Sequence, residues 1–540
     1  MTPQRPARVR VSHRTHLIRR AVAIGTIVII VAAIAGYVSA RDGGSDGADA
    51  DSAGSTKPHH TTSTARAELD AAGHPVLSPT SGVGKPWGGT VDGLLTFRGN
   101  PTRTYYGQGP VPKRPGIDWY YPASGGMCSA SSAKGVTKTW CGAGWTGQPA
   151  VFEHGGRTWV VFGAYDRAVH FMDAKTGEEI LPPFPTGDII KGSVTVDPDG
   201  YPLIYIGSRD NYFRVIALDR PGRAVELWKL SATAVSPTLW NNDWDGSGLV
   251  LDDMLIEGGE NSQLHVVKLG RATGADGLAT VDPKLIFHTP GWDAQVIRDL
   301  AGNRDHEMSI EDSTTVFRDT VYFANSGGLV QGWDLAPLRS GGTPTRTFRY
   351  WTGDDTDAAV VVDEHGDLYV GVEYERVNDR AKEVGQILKL DPSKPDDPVV
   401  WKIDDQGSNP AGVWSTMALD RDVVYATTNG GRLMGIDRNT GEVRWTKHLP
   451  GPVWQSPVVV DHVLIEGDCS GVLHGYDVAD TRQEPRELWR IDLGGCIEAT
   501  PAVWKGRVYF ATRAGRFFAL SDSGRKTSPT AGDARGSTGE

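Results

Sequence analysis

The stretch Gly412–Leu449, GVWSTMALDRDVVYATTNGGRLMGIDRNTGEVRWTKHL, constrains the fold more than any other part of the chain. It holds four short apolar runs, Thr416–Leu419, Val423–Thr427, Leu433–Asp437 and Val443–Trp445, separated by Asp-Arg-Asp, Asn-Gly-Gly and Asn-Thr-Gly. Runs this short, bounded by turn-forming residues, are strands, and the gaps leave room only for antiparallel neighbours. A lone four-stranded sheet cannot bury both faces, so it requires copies of itself.

Val453–Leu493 is such a copy, with runs at Gln455-Ser-Pro-Val-Val459, Val463–Glu466, Val472–Asp477 and Glu487-Leu-Trp489. Further first strands are read from Gly147-Gln-Pro-Ala-Val151, Lys191-Gly-Ser-Val194, Ser236-Pro-Thr-Leu239, Asp312-Ser-Thr-Thr-Val316, Asp357-Ala-Ala-Val360 and Ala499-Thr-Pro-Ala-Val503. The steps are mostly about 44 residues, which suits four-stranded blades and gives eight units. The last unit, Ile497–Leu520, shows only three strands, while Gly116-Ile-Asp-Trp119-Tyr-Tyr reads as a fourth strand without a blade. Pairing the two closes the ring and removes free edges. The expected fold is all-β, an eight-bladed β-propeller closed by an N-terminal strand and preceded by one N-terminal transmembrane helix. A repeat architecture accommodates 540 residues in one domain, and 67 glycines fit its many tight turns.

Met1–Arg20 carries six arginines and no acid, and Ala21–Ala40 follows without a charge. An apolar run of that length spans a bilayer, with its basic flank kept in the cytoplasm. The expected organisation is a basic cytoplasmic segment (1–20), a transmembrane anchor (21–40), a disordered linker (41–93), the propeller (94–522) and a disordered tail (523–540). The other reading of Ala21–Ala40 is a cleaved signal peptide ending at Val38-Ser-Ala40, which would make the domain secreted. Both readings place the propeller outside the cytoplasm. There, Cys128 with Cys141 and Cys469 with Cys496 are expected as disulfides, the first inside an insertion and the second between neighbouring blades; metal ligation is the other reading, without CxxC spacing. A net charge of −11 argues against a nucleic-acid partner.

Phe171-Met-Asp-Ala-Lys-Thr-Gly-Glu178, Gly435-Ile-Asp-Arg-Asn-Thr-Gly-Glu-Val-Arg-Trp445 and the looser Ala217-Leu-Asp219…Leu-Trp228 resemble the AxDxxTGxxxW repeat of PQQ-like (quinoprotein-type) propellers. The resemblance implies that Trp119, Trp228, Trp401, Trp445 and Trp489 dock neighbouring blades, with Phe287 and Phe348 standing in for Trp in two irregular blades. It points to two branches. Quinoprotein dehydrogenases hold pyrroloquinoline quinone (PQQ) and calcium over the propeller axis, whereas BamB-like propellers are non-catalytic. The vicinal Cys-Cys pair typical of the dehydrogenases is absent here, as is a CxxCH. The apolar segment and the stretch FRGNPTR (Phe97–Arg103) resemble membrane-anchored PQQ-like proteins of actinobacterial type. No lipobox cysteine follows Ala21–Ala40, so the lipoprotein role of BamB does not transfer.

Two constellations carry chemistry. Asn241, Asp243, Asp245 and Asp252 have the spacing of oxygen ligands around a structural calcium ion; the other reading is an Asx-rich hairpin that needs no ion. Glu311, Asp312, Asp357 and Glu498, with Trp414 and Trp454, lie near first-strand starts, where a propeller lines its channel. They either converge at one mouth, as a site for a cation or basic partner with an aromatic floor, or are dispersed on solvated loops. No GxSxG or Ser-His-Asp set is recognisable. The expectation is a non-catalytic, extracytoplasmic, membrane-tethered scaffold without a cofactor. It would be monomeric and would bind an envelope protein, a polymer or a ligand. A PQQ- and calcium-dependent dehydrogenase and a ligand sensor are the alternatives.

Overall fold

Asp437 shows how a blade is made. Its Oδ1 accepts the backbone N–H groups of Asn439 and Thr440, both at 2.9 Å, and so turns the chain between the strands Arg432–Asp437 and Val443–His448. Gly441 follows with a φ of +75°, and a Cβ there would meet Trp401 of the preceding blade at 2.7 Å. Asp173 and Gly177 repeat the arrangement, with Trp119 only 2.5 Å from where a Cβ on Gly177 would lie. The DxxTG signature therefore supplies both a turn and a socket for the neighbour's tryptophan.

The computed structural model describes residues 67–525, apart from 134, 145–146, 301–305 and 408–410. Eight antiparallel sheets, here blades 1 to 8, begin with the first strands Ala150–His154, Thr195–Val196, Leu249–Leu251, Thr315–Phe317, Val361–Val362, Ala418–Asp420, Val458–Val460 and Ala502–Trp504. Blade 8 takes its fourth strand from Gly116–Tyr121, paired antiparallel with Arg516–Ser521. In every blade the pairing of the third and fourth strands shifts register beside the docking position, held by Leu181, Trp228, Phe287, Phe348, Trp401, Trp445, Trp489 and Trp119. A bulge there increases local twist and turns the outer strand across the adjacent blade. Apolar clusters fill the spaces between blades.

The segment ahead of Gly116 makes one circuit of the inner ring. Gly93–Leu94 pairs with the first strand of blade 1, and Gly107–Gln108 runs parallel to that of blade 8. Between them, Leu95 O accepts from Val196 N of blade 2, Pro101 O from Val316 N of blade 4 and Thr102 O from Val362 N of blade 5, while Tyr106 Oη accepts from Leu419 N of blade 6. These N–H groups occupy equivalent first-strand positions, so the segment covers inner edges that would otherwise lack partners. Two fully buried arginines fasten it. Arg98 donates to Pro457 O and Met417 O of blades 7 and 6, at 2.9 and 2.8 Å. Arg103 donates to Thr314 O and Ser247 O of blades 4 and 3, at 3.0 and 2.8 Å. Burial pushes the Arg103 guanidinium down to about 9, with Glu257 and Asp312 working the other way.

Several expectations need correction. Residues 41–93 are not all linker. From Glu68 the chain belongs to the same compact unit as the blades, with Ser78 and Arg318 bonded in both directions and Leu77 N donating to Asp319 Oδ1 at 3.1 Å. The start of blade 3 is Leu249–Leu251, not Ser236–Leu239, whose Ser-Pro pair mimics the start of blade 7. Ser523 to Arg525 also pack, Arg525 bridging to Ile117. The proposed span Ala21–Ala40 lies outside the described residues, and among the described residues no helix is long and apolar enough to cross a membrane. Both disulfides form as expected: Cys128–Cys141 staples a hairpin, and Cys469–Cys496 ties blade 7 to the connection into blade 8.

Candidate functional site

Each first strand is approached through a short connection, and one position of it recurs. Counting back five residues from the second residue of the first strand gives Lys191, Asp245, Glu311, Asp357, Trp414, Trp454 and Glu498 in blades 2 to 8. Because the strands are equivalent, these residues ring one mouth of the channel, about 16 Å along an extended chain from the residues that the N-terminal segment covers. A second ring lies five residues beyond the second-strand partner of that same first-strand residue. It supplies Arg209, Glu260, Ser326, Glu373 and Arg513 in blades 2, 3, 4, 5 and 8.

At blades 2 and 3 the rings form a closed ion network. The Lys191 ammonium lies 3.2 Å from Asp243 and 2.8 Å from Glu260 and touches Asp245, and Arg209 Nε donates to Asp243 at 2.6 Å. Burial disfavours the charge on Lys191, but the three carboxylates outweigh it and hold its pKa well above the ordinary value. Burial and the Asp243 charge raise Asp245. Asn241 donates to Glu260 at 2.7 Å and so joins the network as a donor. Asp252 does not join it. It sits in the turn between Leu249–Leu251 and Met254–Gly259, at the other end of the blade, with its side chain 58% exposed. The first strand starts after the Asn241–Gly248 loop, which separates the expected ligands. Lys191 and Glu260 were absent from the sequence expectation because the pair lies 69 positions apart.

Blades 4 and 5 place acids and a hydroxyl in those ring positions. Ser309 donates to Glu311 at 2.8 Å, and Ser326 Oγ lies 3.2 Å from Asp357. Asp355, Asp357 and Glu373 bring one oxygen each within 4.8 Å of the others, all three buried. Burial, then the charges of Asp355, Glu311 and Glu373, raise Asp357 well above the carboxylate range. Asp312, grouped with Glu311 by sequence, turns the opposite way by strand alternation and accepts from Ala324 N at 3.0 Å. On blades 6 and 7 the rings of Trp414 and Trp454 pack at 5.1 Å with an interplanar angle of 33°. Glu498 pairs with Arg513 at 3.4 Å. The Cys128–Cys141 hairpin sets Trp140 between Arg209 and Arg513, at 5.5 and 5.1 Å, beside the mouth.

Residues 383–484 match the model of a family described as outer membrane protein assembly factor BamB. The chain carries a PQQ-like propeller, distantly similar to BamB. A search of curated proteins finds no match. Among solved structures, a quinohemoprotein alcohol dehydrogenase from Pseudomonas putida HK5 is 11% identical, with 81% of each chain covered and a TM-score of 0.55. A quinohemoprotein alcohol dehydrogenase from Comamonas testosteroni is 14% identical over 81% of each chain, with a TM-score of 0.50. BamB from Moraxella catarrhalis is 13% identical over 75% of this PQQ-like chain and 96% of its own, with a TM-score of 0.36. The two dehydrogenases share the propeller fold with this chain.

Proposed function

We propose that this propeller is a non-catalytic, membrane-tethered, extracytoplasmic scaffold that offers the channel mouth to a protein or ligand of the cell envelope. The observation that carries the reading is the asymmetry of the channel. One end is filled by the Leu94–Gln108 circuit and its two buried arginines, while ring positions at the other end present carboxylates and a tryptophan pair. Aromatic faces beside charge are common anchors in recognition surfaces.

The residues at the mouth do not fit PQQ, which bears three carboxylates. Lys191, Arg209 and Arg513 are already paired with acids, and Glu311, Asp355, Asp357 and Glu373 add further negative charge. Calcium fits the donor chemistry better, since oxygen ligands suit a hard cation. Asp243, Asp245 and Glu260 hold Lys191 instead, and Asp355, Asp357 and Glu373 are a second group of three acids whose oxygens lie within 4.8 Å of one another.

The test is photocross-linking in cells with a photoreactive amino acid at Trp414, compared with one at Arg482 on the outer edge. A discrete adduct specific to Trp414 is expected. Equal labelling from both positions, or dye reduction after loading with PQQ and calcium, would overturn the scaffold reading.

A further inference from the structure

Three seams between blades are closed by the same aromatic pair. In blade 6 the docking Trp445 lies over Gly435, where a Cβ would meet the indole at 2.2 Å, and packs with Tyr425 of the second strand at 6.0 Å. Trp401 with Tyr369 and Trp119 with Tyr509 repeat the pair, each at 6.1 Å. In two of these seams the indole N–H also reaches the next blade: Trp401 donates to Arg438 O and Trp119 to Ala174 O, both at 3.1 Å. The acceptor in each case belongs to the residue after the turn aspartate, Asp437 or Asp173.

The seam from blade 4 to blade 5 keeps this frame but has no indole. Gly332 pairs with Phe348 as Gly435 does with Trp445, and Tyr322 stands where Tyr425 does. Asp391 makes the turn of blade 5, its Oδ1 accepting from Ser393 N at 3.0 Å, which puts Pro392 O in the place of Arg438 O. Among the described residues no donor reaches Pro392 O. A cavity of about 440 Å³ opens there, bounded by Phe317, Tyr322 and Phe348 of blade 4 and by His365, Pro392 and Ser393 of blade 5. Its volume is that of a small-ligand site, roughly 300–1,000 Å³. It opens at the end of the blades away from the mouth.

We infer that this seam binds an indole ring, the side chain of a tryptophan on a partner protein, in the cavity beside Phe348 with its N–H donated to Pro392 O. The other seams show that the frame accepts an indole, and the phenyl ring of Phe348 has neither the second ring nor the donor. A flat apolar body with one donor matches three aromatic walls and one open carbonyl. His365 and Ser393 are exposed at the rim, where polar groups suit the polypeptide that carries the ring. Residues 1–66 and 526–540 hold no tryptophan, so the ring comes from another molecule. The site is separate from the channel mouth, and the reading of the mouth stands or falls by its own cross-linking test.

The experiment titrates the full chain in detergent with 5-fluoroindole, following the fluorine NMR line width and the melting temperature. Saturable broadening and a rise in melting temperature are expected. Benzofuran, of similar shape but without the N–H, should compete roughly three- to tenfold more weakly than indole. A blocked Gly-Trp-Gly peptide should compete at least as well as indole, and Gly-Ala-Gly should not compete. The decisive variant is Phe348→Trp, which supplies the ring from within. It should raise the melting temperature of the unliganded protein and abolish the fluoroindole response. Should that variant fail to fold, Ser393→Tyr narrows the entrance from an exposed position and should weaken the response at least about tenfold. An unchanged response in the folded variant, equal competition by benzofuran, no competition by the tryptophan peptide, or no response in a folded wild-type chain would each overturn the inference.

Discussion

At one end of the channel Arg98 and Arg103 spend their N–H groups on neutral backbone carbonyls of four blades; at the other, buried carboxylates crowd together in two groups of three, one on blade 3 and one on blade 5. Both ends bury charge, but the closed end matches its donors with acceptors, whereas the mouth gathers more acids than bases. The closed end is therefore built for cohesion. The mouth holds like charges whose compensation comes partly from Lys191, Arg209 and Arg513. Perturbed, crowded ionisable groups of this kind are a recurring mark of binding surfaces.

The largest effect is expected at the closed end. Arg103→Ala should cost roughly 3–5 kcal/mol of unfolding free energy, because it leaves several buried carbonyls and the neighbouring acids without their partner. Arg103→Lys should recover little, since an ammonium cannot span the carbonyls of two blades as the guanidinium fork does. Urea unfolding would measure both, and a loss below about 1 kcal/mol would remove the arginines from the account of cohesion.

At the mouth, Lys191→Ala should destabilise by about 2–4 kcal/mol, since three carboxylates lose their counter-charge. Methylammonium at high concentration should restore part of the melting temperature, which no added amine should do for Arg103→Ala.

A smaller effect separates the ends by pH. The pKa of Asp357 is raised in the folded state, so the folded protein keeps a proton that the unfolded chain releases. Its stabilising contribution is present at low pH and is lost as pH rises from the unfolded value of about 4 through the folded one. In buffer free of amines and divalent ions, Asp357→Asn should flatten the decline in melting temperature between about pH 5 and 8. The smallest effect belongs to the blade turns. Hydrogen bonds from Arg444 and from the N–H groups of Thr440 and Asn439 hold Asp437 at about 2 against the opposing effect of burial, so its contribution is present above about pH 4 and is lost as pH falls towards 2. Because this carboxylate sits in a surface turn where solvent screens its ion pair, Asp437→Ala should cost about 1 kcal/mol or less.

The ring was legible in the sequence because its cues are local. Asp437, Gly441 and Trp445 sit within one repeat, and the turn they specify does not depend on distant residues. The missing fourth strand was legible for the same reason, Gly116–Tyr121 having the pattern of a strand but no blade around it. The site was only half legible. Glu311, Asp357, Trp414, Trp454 and Glu498 were found because they precede recognisable first strands, yet Lys191 stood in such a start without revealing its role among the carboxylates. Aligning Asp243-Trp-Asp245…Glu260 with Asp355-Thr-Asp357…Glu373 would have exposed the paired triads, but the misplaced start of blade 3 broke that alignment. Nothing in Phe97–Arg103 marks its arginines as buried, because their acceptors are main-chain atoms that any sequence supplies.

The closing strand also sets a schedule. Asp118 meets Arg507 across 389 positions of chain, so the first part of the propeller to leave the ribosome is among the last to find its partner. Until blade 8 is complete, Gly116–Tyr121 and the inner circuit have no finished ring to enter, and seven blades must persist with an open seam. Contacts of such long sequence separation are slow to form and leave edges exposed meanwhile. The architecture that gives the mature ring no free edge thus makes the nascent one dependent on its final strands, and a truncation there should be felt first as lost yield rather than as a lower melting temperature.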